Sequence, residues 1–515
     1  MLTKRKHDLR KVVAGDGSQP LIALLVLSLL VKALIICGTD VVNPDAVRYA
    51  NSAHQILGGD LSAAFQHEKM LLFSLTLAAA RLLVGDWILA GQLISTVFLT
   101  LTLIPLYLLT RDLFGSRAAI WSSAAFILIP SLNELTSKIV KDAPFLFFMT
   151  LALWLGQRAL ANQRLGFFPA SCGCAIAAAM FRLEGLLFLF IYIIWLIYQV
   201  LFRSVARPAA IRGLLVYVFI PISALVIISG LLMAGFLEIG LLETVWRRFS
   251  HHYFQFDMTT VHGAIYDHLK SVEESFPGGQ WGHDFFEISR YNILIIYLVG
   301  LLQALIAAIF PIYVVPLYAG LQDAGRCDGN PGVLIWTLVA YLGMVYFFLV
   351  TRNFLSERYL LIVVVMLLPF VGHGFERLNA RLSAFRFQKI SLAIFALLFI
   401  GLPIYKSFAD TRNEKTEIRL AGEWLKHSQY ILRQRMVTTD ERIPFYAGLM
   451  RNDYDMFPDG MRQDFEQYAK ANGNSLIVLG MSLRNGEKPP SLGDYILAKE
   501  FYGEKKVILV YSKKI

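Results

Sequence analysis

The sequence predicts a polytopic α-helical membrane protein with about eleven transmembrane helices, followed by a small C-terminal α/β domain outside the membrane. Three observations predict it. Of 515 residues, 56% are hydrophobic and 17% charged, where a soluble domain carries about 25% charged residues; the surplus must face lipid. Along the first four-fifths of the chain, apolar runs recur near the ~20 residues that a helix rising about 1.5 Å per residue needs to cross the hydrocarbon core. Beyond residue 408 the composition changes sharply, and short β-rich stretches replace the long runs.

Spans are expected at 20–37, 87–110, 117–132, 143–160, 166–181, 185–202, 212–237, 291–319, 332–351, 357–374 and 389–408. The first follows Lys4, Arg5 and Lys6 as a secretion signal would. No small-residue cleavage site follows it, and Ile36 is too bulky before Cys37 for a lipoprotein box, so an uncleaved span is expected. The run from Met70 to Val84 is short and carries Arg81, which reads as a helix lying in the interface.

That reading fixes the topology. With the first span leaving the cytoplasm, the inside segments hold Lys4, Arg5, Lys6, Arg10 and Lys11; Arg111 and Arg117; Arg158 and Arg164; Arg203, Arg207 and Arg212; and Arg377, Arg381, Arg386 and Lys389. This is the bias of the positive-inside rule. Counting 70–84 as a crossing would put the stretches Arg111 to Arg117 and Arg203 to Arg212 outside, against it. Eleven crossings leave the C-terminus outside. The net charge of +10 is accounted for by these loops and their lipid head groups, and no nucleic-acid partner is expected. Cys37, Cys172, Cys174 and Cys327 fall in or near spans or in an inside loop, which argues against a disulfide framework and a thiolate metal site.

Residues 1–408 thus form the transmembrane domain, with long outside loops at 38–86 and 238–290, and residues 409–515 form the outside tail domain. In the tail, Met436 to Thr439, Ser475 to Leu479 and Val507 to Tyr511 read as strands, while Glu417 to Lys426 and Gln463 to Lys470 read as helices. It carries no glycine-rich phosphate loop, so a cap or docking role is expected of it.

The first outside loop reads Asn43-Pro44-Asp45-Ala46-Val47-Arg48-Tyr49-Ala50, then Gly59-Asp60, then His67-Glu68-Lys69. Alone, this is a solvated loop with a helix N-terminus at Asp45. However, Lys138 to Pro144, Arg182 to Gly185 and Arg352 to Tyr359 also fall at the outer ends of spans. Ionisable groups at the bilayer boundary cost up to roughly 2.5 to 3.5 kcal/mol if they sink toward the centre of a helix, and such residues are more often functional than decorative. These clusters can converge on one site.

On these residues the sequence resembles the GT-C fold glycosyltransferases, specifically the bacterial relatives of protein O-mannosyltransferases and of the lipid A aminoarabinose transferase. The resemblance covers most of the chain in topology. In the family, the first outside loop carries a catalytic Asp followed by Arg-Tyr-Ala, which Asp45, Arg48, Tyr49 and Ala50 match. A Glu-Lys-Pro motif follows there, matched by Glu68 and Lys69 with Met70 in place of the proline. A second acidic residue corresponds to Asp142 in Lys141-Asp142-Ala143-Pro144-Phe145, and Ser356-Glu357-Arg358-Tyr359-Leu360 resembles another recurrent outer stretch.

The resemblance implies a bacterial cytoplasmic-membrane enzyme that takes one sugar from a polyprenyl-phosphate donor in the outer leaflet. Its acceptor hydroxyl would belong to a glycolipid, a polysaccharide or a protein. The chain shows no Rossmann fingerprint, and the outside face has no nucleotide sugars. Asp45 is expected to accept the acceptor's proton as it attacks the anomeric carbon, with cations offsetting charge on the departing phosphate. Lys69 and Arg358 are assigned to that phosphate, Arg48 and Arg182 are further candidates, and Glu68 and Tyr49 support the loop. Asp142 would orient Asp45, the acceptor or a basic neighbour from the Lys138–Lys141 loop. The alternative for Arg48 and Arg182 is simple pairing with nearby carboxylates such as Glu184, and Asp40 is the reserve base.

No cofactor is required by this scheme. A divalent metal held by Glu68 and the stretch containing His251, His252, His262, His268 and His283 is the alternative, but no tight ligand spacing supports it. Trp246, Phe249, Tyr253, Phe254 and Phe256 in the same loop suit the head-group layer or a substrate groove, and Arg247 and Arg248 accompany them. Two other classes fit a polytopic chain: a transporter or flippase, disfavoured by the lack of an internal repeat, and a non-catalytic envelope assembly protein, which would leave the charge clusters unconverged.

Overall fold

The computed structural model describes residues 18–38, 42–68, 70–162, 166–233, 258–277, 279–322, 330–382, 393–395, 397–411, 416–428, 435–458, 461, 464–482, 489–504 and 506–514. Lys4 to Lys11, Asp40, Lys69, Arg164, the segment from Trp246 to Phe256, Cys327, Arg386, Lys389 and Gln463 lie outside the described residues.

Most of the chain is a helical bundle. Its helices are α1 (Ser18–Cys37), α2 (Pro44–Leu57), α3 (Leu61–His67), α4 (Leu71–Val84), α5 (Trp87–Phe114), α6 (Ser116–Leu128), α7 (Pro130–Ser137), α8 (Asp142–Asn162), α9 (Phe167–Phe181), α10 (Gly185–Phe202) and α11 (Arg207–Met233). After these come α12 (Met258–Ser275), α13 (Gly279–Tyr291), α14 (Ile293–Ile309), α15 (Val314–Leu321), α16 (Gly332–Arg352), α17 (Glu357–Leu382) and α18 (Leu402–Thr411).

Among the described residues, seven helices are long and apolar enough to cross a membrane, and nine spans result if each of two bent pairs counts as one. The other two of the eleven expected crossings fall on shorter apolar helices, Phe167–Phe181 and Ala393–Ala409. Two expected straight spans are broken. The run 117–132 bends by 53° between Leu128 and Pro130, because the ring of Pro130 pushes Ile129 out of the helical region, to ψ 120°. The run 291–319 is divided at Phe310, whose φ of +70° directly before Pro311 ends α14. A 77° bend at Asn292 also turns α13 away from α14. Both corrections come from local backbone sterics that a hydropathy window averages away.

Of the long apolar helices among the described residues, α17 is the most deeply buried. Small residues let neighbours reach it: a methyl group at Gly374 would overlap the Pro316 carbonyl of α15, one at Gly320 the Phe370 carbonyl, and one at Gly372 the Ala118 carbonyl of α6. Such close backbone approach is how helices associate where lipid removes the hydrophobic driving force. With Leu360 to Leu368 all buried, α17 is enclosed on every side, and its first turn brings Arg358 to Asp45 of α2. Helix α4 spans 14 residues, about 21 Å at the helical rise and short of the ~30 Å hydrocarbon core.

The tail contains α19 (Thr416–His427), α20 (Arg442–Tyr446) and α21 (Phe465–Ala471), with strands β1 (Met436–Thr438), β2 (Tyr454–Met456), β3 (Leu476–Ser482), β4 (Tyr495–Tyr502) and β5 (Lys506–Lys513). The sheet order is β2-β1-β3-β5-β4. β1 runs parallel to β2 and β3, whereas β5 is antiparallel to β3 and β4. Successive residues of a strand point to opposite faces, and here both faces are covered. Leu476, Val478, Ile508 and Val510 pack with Ile418, Ala421 and Leu425 of α19, while Ile477, Leu479 and Leu509 pack with Ala469 of α21. This explains why β3 and β5 read as unbroken apolar runs. The expected strands and helices of the tail are all present among the described residues, and β2 and β4 are additional.

The tail docks on the bundle through α20. The Val42 N–H donates to the Tyr446 hydroxyl at 2.7 Å, and the Arg451 N–H donates to Asn51 Oδ1 at 3.0 Å. Phe445 is buried in the core of the bundle.

Candidate active site

The site is built where the first turn of α2 meets the first turns of α8 and α17. Pro44 occupies the first turn of α2, where its missing N–H costs nothing. Asp45 follows it, at the end of the helix whose partial positive charge favours a carboxylate. The turn is fastened to the bundle by Asn43, whose Oδ1 accepts from the Ile139 N–H at 2.9 Å and whose Nδ2 donates to the Ile139 carbonyl at 3.3 Å. Asp142 starts α8 three residues beyond that clasp, so the two acidic turns are held in register by one asparagine.

Arg358 joins the two carboxylates. Its Nη1 donates to Asp45 Oδ2 at 2.9 Å and lies 3.9 Å from Asp142 Oδ2. The other oxygen of Asp45 accepts from Arg48 Nη2 at 2.6 Å. Burial alone would raise the Asp45 pKa, but the guanidinium groups of Arg358 and Arg48 outweigh it and hold the carboxyl below its ordinary value. Asp45 therefore stays ionised and remains partly open, with 25% of its side chain exposed.

Asp142 is deeper, with 5% of its side chain exposed, and Arg182 Nη1 donates to its Oδ1 at 2.5 Å. Arg182 also binds Glu184 at 2.7 Å and lies 4.9 Å from the centre of the Tyr359 ring. The Tyr341 hydroxyl donates to the Glu184 carbonyl. Burial favours a raised pKa for Glu184, yet the Arg182 pair lowers it overall. Arg182 is thus a closed structural clamp between two carboxylates, the pairing that the sequence offered as its simpler reading, whereas Arg358 and Arg48 retain exposed faces.

Glu68 is buried and accepts from Lys141 Nζ at 3.2 Å, and the Met70 N–H donates to the same oxygen at 3.4 Å. Lys141 lies 5.9 Å from the centre of the Tyr49 ring. Tyr49 is buried against Phe73 with ring centres 4.8 Å apart, and burial raises its hydroxyl pKa well above the ordinary value. It supports the loop as a neutral wall. Of the residues expected from sequence, Asp45, Arg48, Asp142, Arg182 and Arg358 form one linked network, and Glu68 and Tyr49 are joined beside it through Lys141. Lys69 and Asp40 fall outside the described residues.

Two residues that sequence reasoning passed over belong here. Asn43 was visible only as part of an Asn-Pro-Asp turn. Glu441, from the tail, lies close enough to Arg48 and Asp45 for its charge to act on theirs, and no local signal marks it.

Among the described residues, the acidic groups Asp45, Asp142 and Glu68 of the site are already occupied by cations. The place between Asp45 and Asp142 where a divalent ion would bridge them is taken by the Arg358 guanidinium, and Glu68 is taken by Lys141. Among the described residues, no group of three or more His, Cys, Asp or Glu side chains is arranged to hold a metal ion. His268 and His283 sit on α12 and α13.

Residues 68–228 match the family model described as dolichyl-phosphate-mannose-protein mannosyltransferase. Among curated proteins, none matches the chain. The fold is similar to that of ArnT from Cupriavidus metallidurans bound to undecaprenyl phosphate, with a TM-score of 0.56 at 13% identity over 96% of this chain and 98% of that one. It is also similar to the oligosaccharyltransferase of Archaeoglobus fulgidus. The complex with Zn and sulfate gives a TM-score of 0.54 at 14% identity, covering 88% of this chain and 67% of that one. The form tethered to an acceptor peptide gives 0.52 at 12% identity, covering 90% and 69%. The family match within the bundle and the shared fold over nearly the whole length make the chain a relative of the GT-C fold glycosyltransferases.

Proposed function

We propose that this GT-C-type membrane glycosyltransferase moves one sugar from a polyprenyl-phosphate donor to an acceptor hydroxyl, on the face of a bacterial cytoplasmic membrane away from the cytoplasm. The observation that carries the reading is the Arg358 bridge between Asp45 and Asp142. It sets an ionised carboxylate beside a guanidinium at the end of an apolar bundle, which is the pairing that a hydroxyl nucleophile and a phosphate leaving group require. The ArnT neighbour bound to undecaprenyl phosphate supports a lipid phosphate as donor. The basic residues Arg111, Arg158, Arg203 and Arg207 lie at the ends of helices remote from this site, which supports the N-terminus in the cytoplasm and the C-terminus outside.

In the proposed step the acceptor oxygen attacks the anomeric carbon and its proton passes to Asp45. The bond from that carbon to the phosphate oxygen breaks, and its electron pair leaves with the polyprenyl phosphate. Arg358 turns toward the phosphate as charge grows there. Its withdrawal from Asp45 removes a cation from the carboxylate, so the base strengthens as the leaving group is captured. Asp142, held by Arg182, fixes the origin of that movement. Lys141 stands one pair away, and Lys69 is the remaining cation proposed for the phosphate. A single displacement of this kind inverts the anomeric configuration.

The test is sugar transfer from a panel of polyprenyl-phosphate sugars by the parent protein and its Asp45→Asn variant in membranes supplying acceptors. General-base removal is expected to cost about 10²- to 10⁴-fold, while binding of undecaprenyl phosphate persists. Equal transfer by both proteins would remove Asp45 from the mechanism.

A further inference from the structure

The tail is fastened to the very segment that carries Asp45. Val42 and Asn51 bracket Asp45 and Arg48 in sequence, and they hold Tyr446 and Arg451 of the tail. Glu441 lies just before this anchored stretch, at the start of α20. Its two neighbours neutralise each other: Arg442 donates to both oxygens of Asp440, at 2.9 and 2.6 Å. Glu441 is half-buried, and among the described residues its carboxylate has no hydrogen bond or ion pair. Burial and the nearby carboxylates of Asp440 and Asp45 raise its pKa, while the charges of Arg48 and Arg451 oppose them. A half-buried carboxylate with no protein donor is open to a hydrogen bond from water or from a bound hydroxyl or amine.

The site has two sides. Oδ2 of Asp45 faces Arg358, on α17 of the bundle, and Oδ1 faces Arg48, whose charge reaches Glu441 of the tail. A donor phosphate tied to a lipid chain must approach from the bundle. In a single displacement the attacking hydroxyl and the leaving oxygen lie on opposite sides of the anomeric carbon, so the acceptor must come from the side of the tail. We infer that Glu441 is an acceptor-binding residue, accepting a hydrogen bond from a hydroxyl or amine of the acceptor next to the attacking oxygen. The tail thereby forms one wall of the site. This rests on the glycosyltransferase reading above.

The test uses the full chain and its Glu441→Gln variant, which preserves shape but replaces one acceptor oxygen with a donor, and Arg358→Ala for comparison. Binding of undecaprenyl phosphate is measured first. Glu441→Gln is expected to bind as the parent does, and Arg358→Ala to bind at least about tenfold more weakly. Next, with polyprenyl-phosphate sugars as donors, sugar transferred to membranes of the source cell lacking the chain is compared with sugar released to water. Glu441→Gln should lower transfer about tenfold and leave release to water at the parent's rate, a split that loosened folding cannot produce. Weakened undecaprenyl phosphate binding by Glu441→Gln would place the residue on the donor side and overturn the assignment, as would unchanged transfer. A parent that binds undecaprenyl phosphate but neither transfers nor releases sugar from any donor would overturn the glycosyltransferase reading, and with it this one.

Discussion

Individual residues in the site differ in burial, and the roles proposed for them, chemistry or holding charge in place, follow that difference. Arg182 has 10% of its side chain exposed and is bonded to Asp142 and Glu184. Removing one partner of a buried ion pair leaves the other uncompensated, at a cost of roughly 3–5 kcal/mol. Arg182→Ala is therefore expected to lower the melting temperature strongly, and undecaprenyl phosphate binding should fall only in proportion to unfolding. Arg358 is more open, so Arg358→Ala should keep the fold and lose donor binding. The depressed pKa of Asp45 sets a pH expectation. A carboxylate whose folded pKa lies below its unfolded value of about 3.9 is ionised throughout the range above that value. Its contribution to stability is present there and is lost only as pH falls through the folded pKa. The acid limb of kcat/KM for the free protein should accordingly lie below the usual carboxylate range, and Arg48→Ala should move it upward; a limb unmoved by that change would show that Arg48 does not tune the base.

Helices owe their placement to sterics at a few positions. Gly320 and Gly374 let α15 and α17 pack backbone to backbone, since a methyl at either would strike a carbonyl of the other helix. Gly374→Ala should separate the helices and displace the first turn of α17 only slightly, because the contact lies about four turns away. A fall of several degrees in melting temperature with transfer largely retained at low temperature is the expected outcome, read by a thermal scan in detergent. The same scale explains the errors of a hydropathy reading. The positions of the apolar runs were legible as elements because lipid demands them. The breaks at Pro130 and Phe310 were not, because an apolar window records composition and not backbone direction.

Across the whole molecule, the docking of the tail on α2 is the arrangement with most consequence. Tyr446→Phe removes the acceptor of the Val42 N–H, and Asn51→Ala removes that of the Arg451 N–H. Each lost hydrogen bond is worth about 0.5–1.5 kcal/mol, so the double variant should loosen the tail without unfolding either part. Hydrogen exchange should then rise in 42–51 and in α20 while the β-sheet stays protected. Exchange unchanged at both surfaces would mean that apolar packing, including that of Phe445, holds the tail without these two hydrogen bonds.

By itself, the sequence determined that the chain lives in a bilayer, where its apolar runs lie, that a small α/β domain follows, and that Asp45, Asp142 and Arg358 were worth assembling. Long apolar runs, short β-rich stretches and costly charges at the membrane boundary are local features, so they can be read locally. Tertiary structure decided which of those charges face one another. It placed Arg358 between Asp45 and Asp142, closed Arg182 between Asp142 and Glu184, and gave Glu68 to Lys141. It also brought Glu441 from the far end of the chain to the edge of the site. Each of these is a pairing between distant segments, set by helix packing and by the Asn43 and Tyr446 clasps, and no pattern within a single stretch of sequence specifies it.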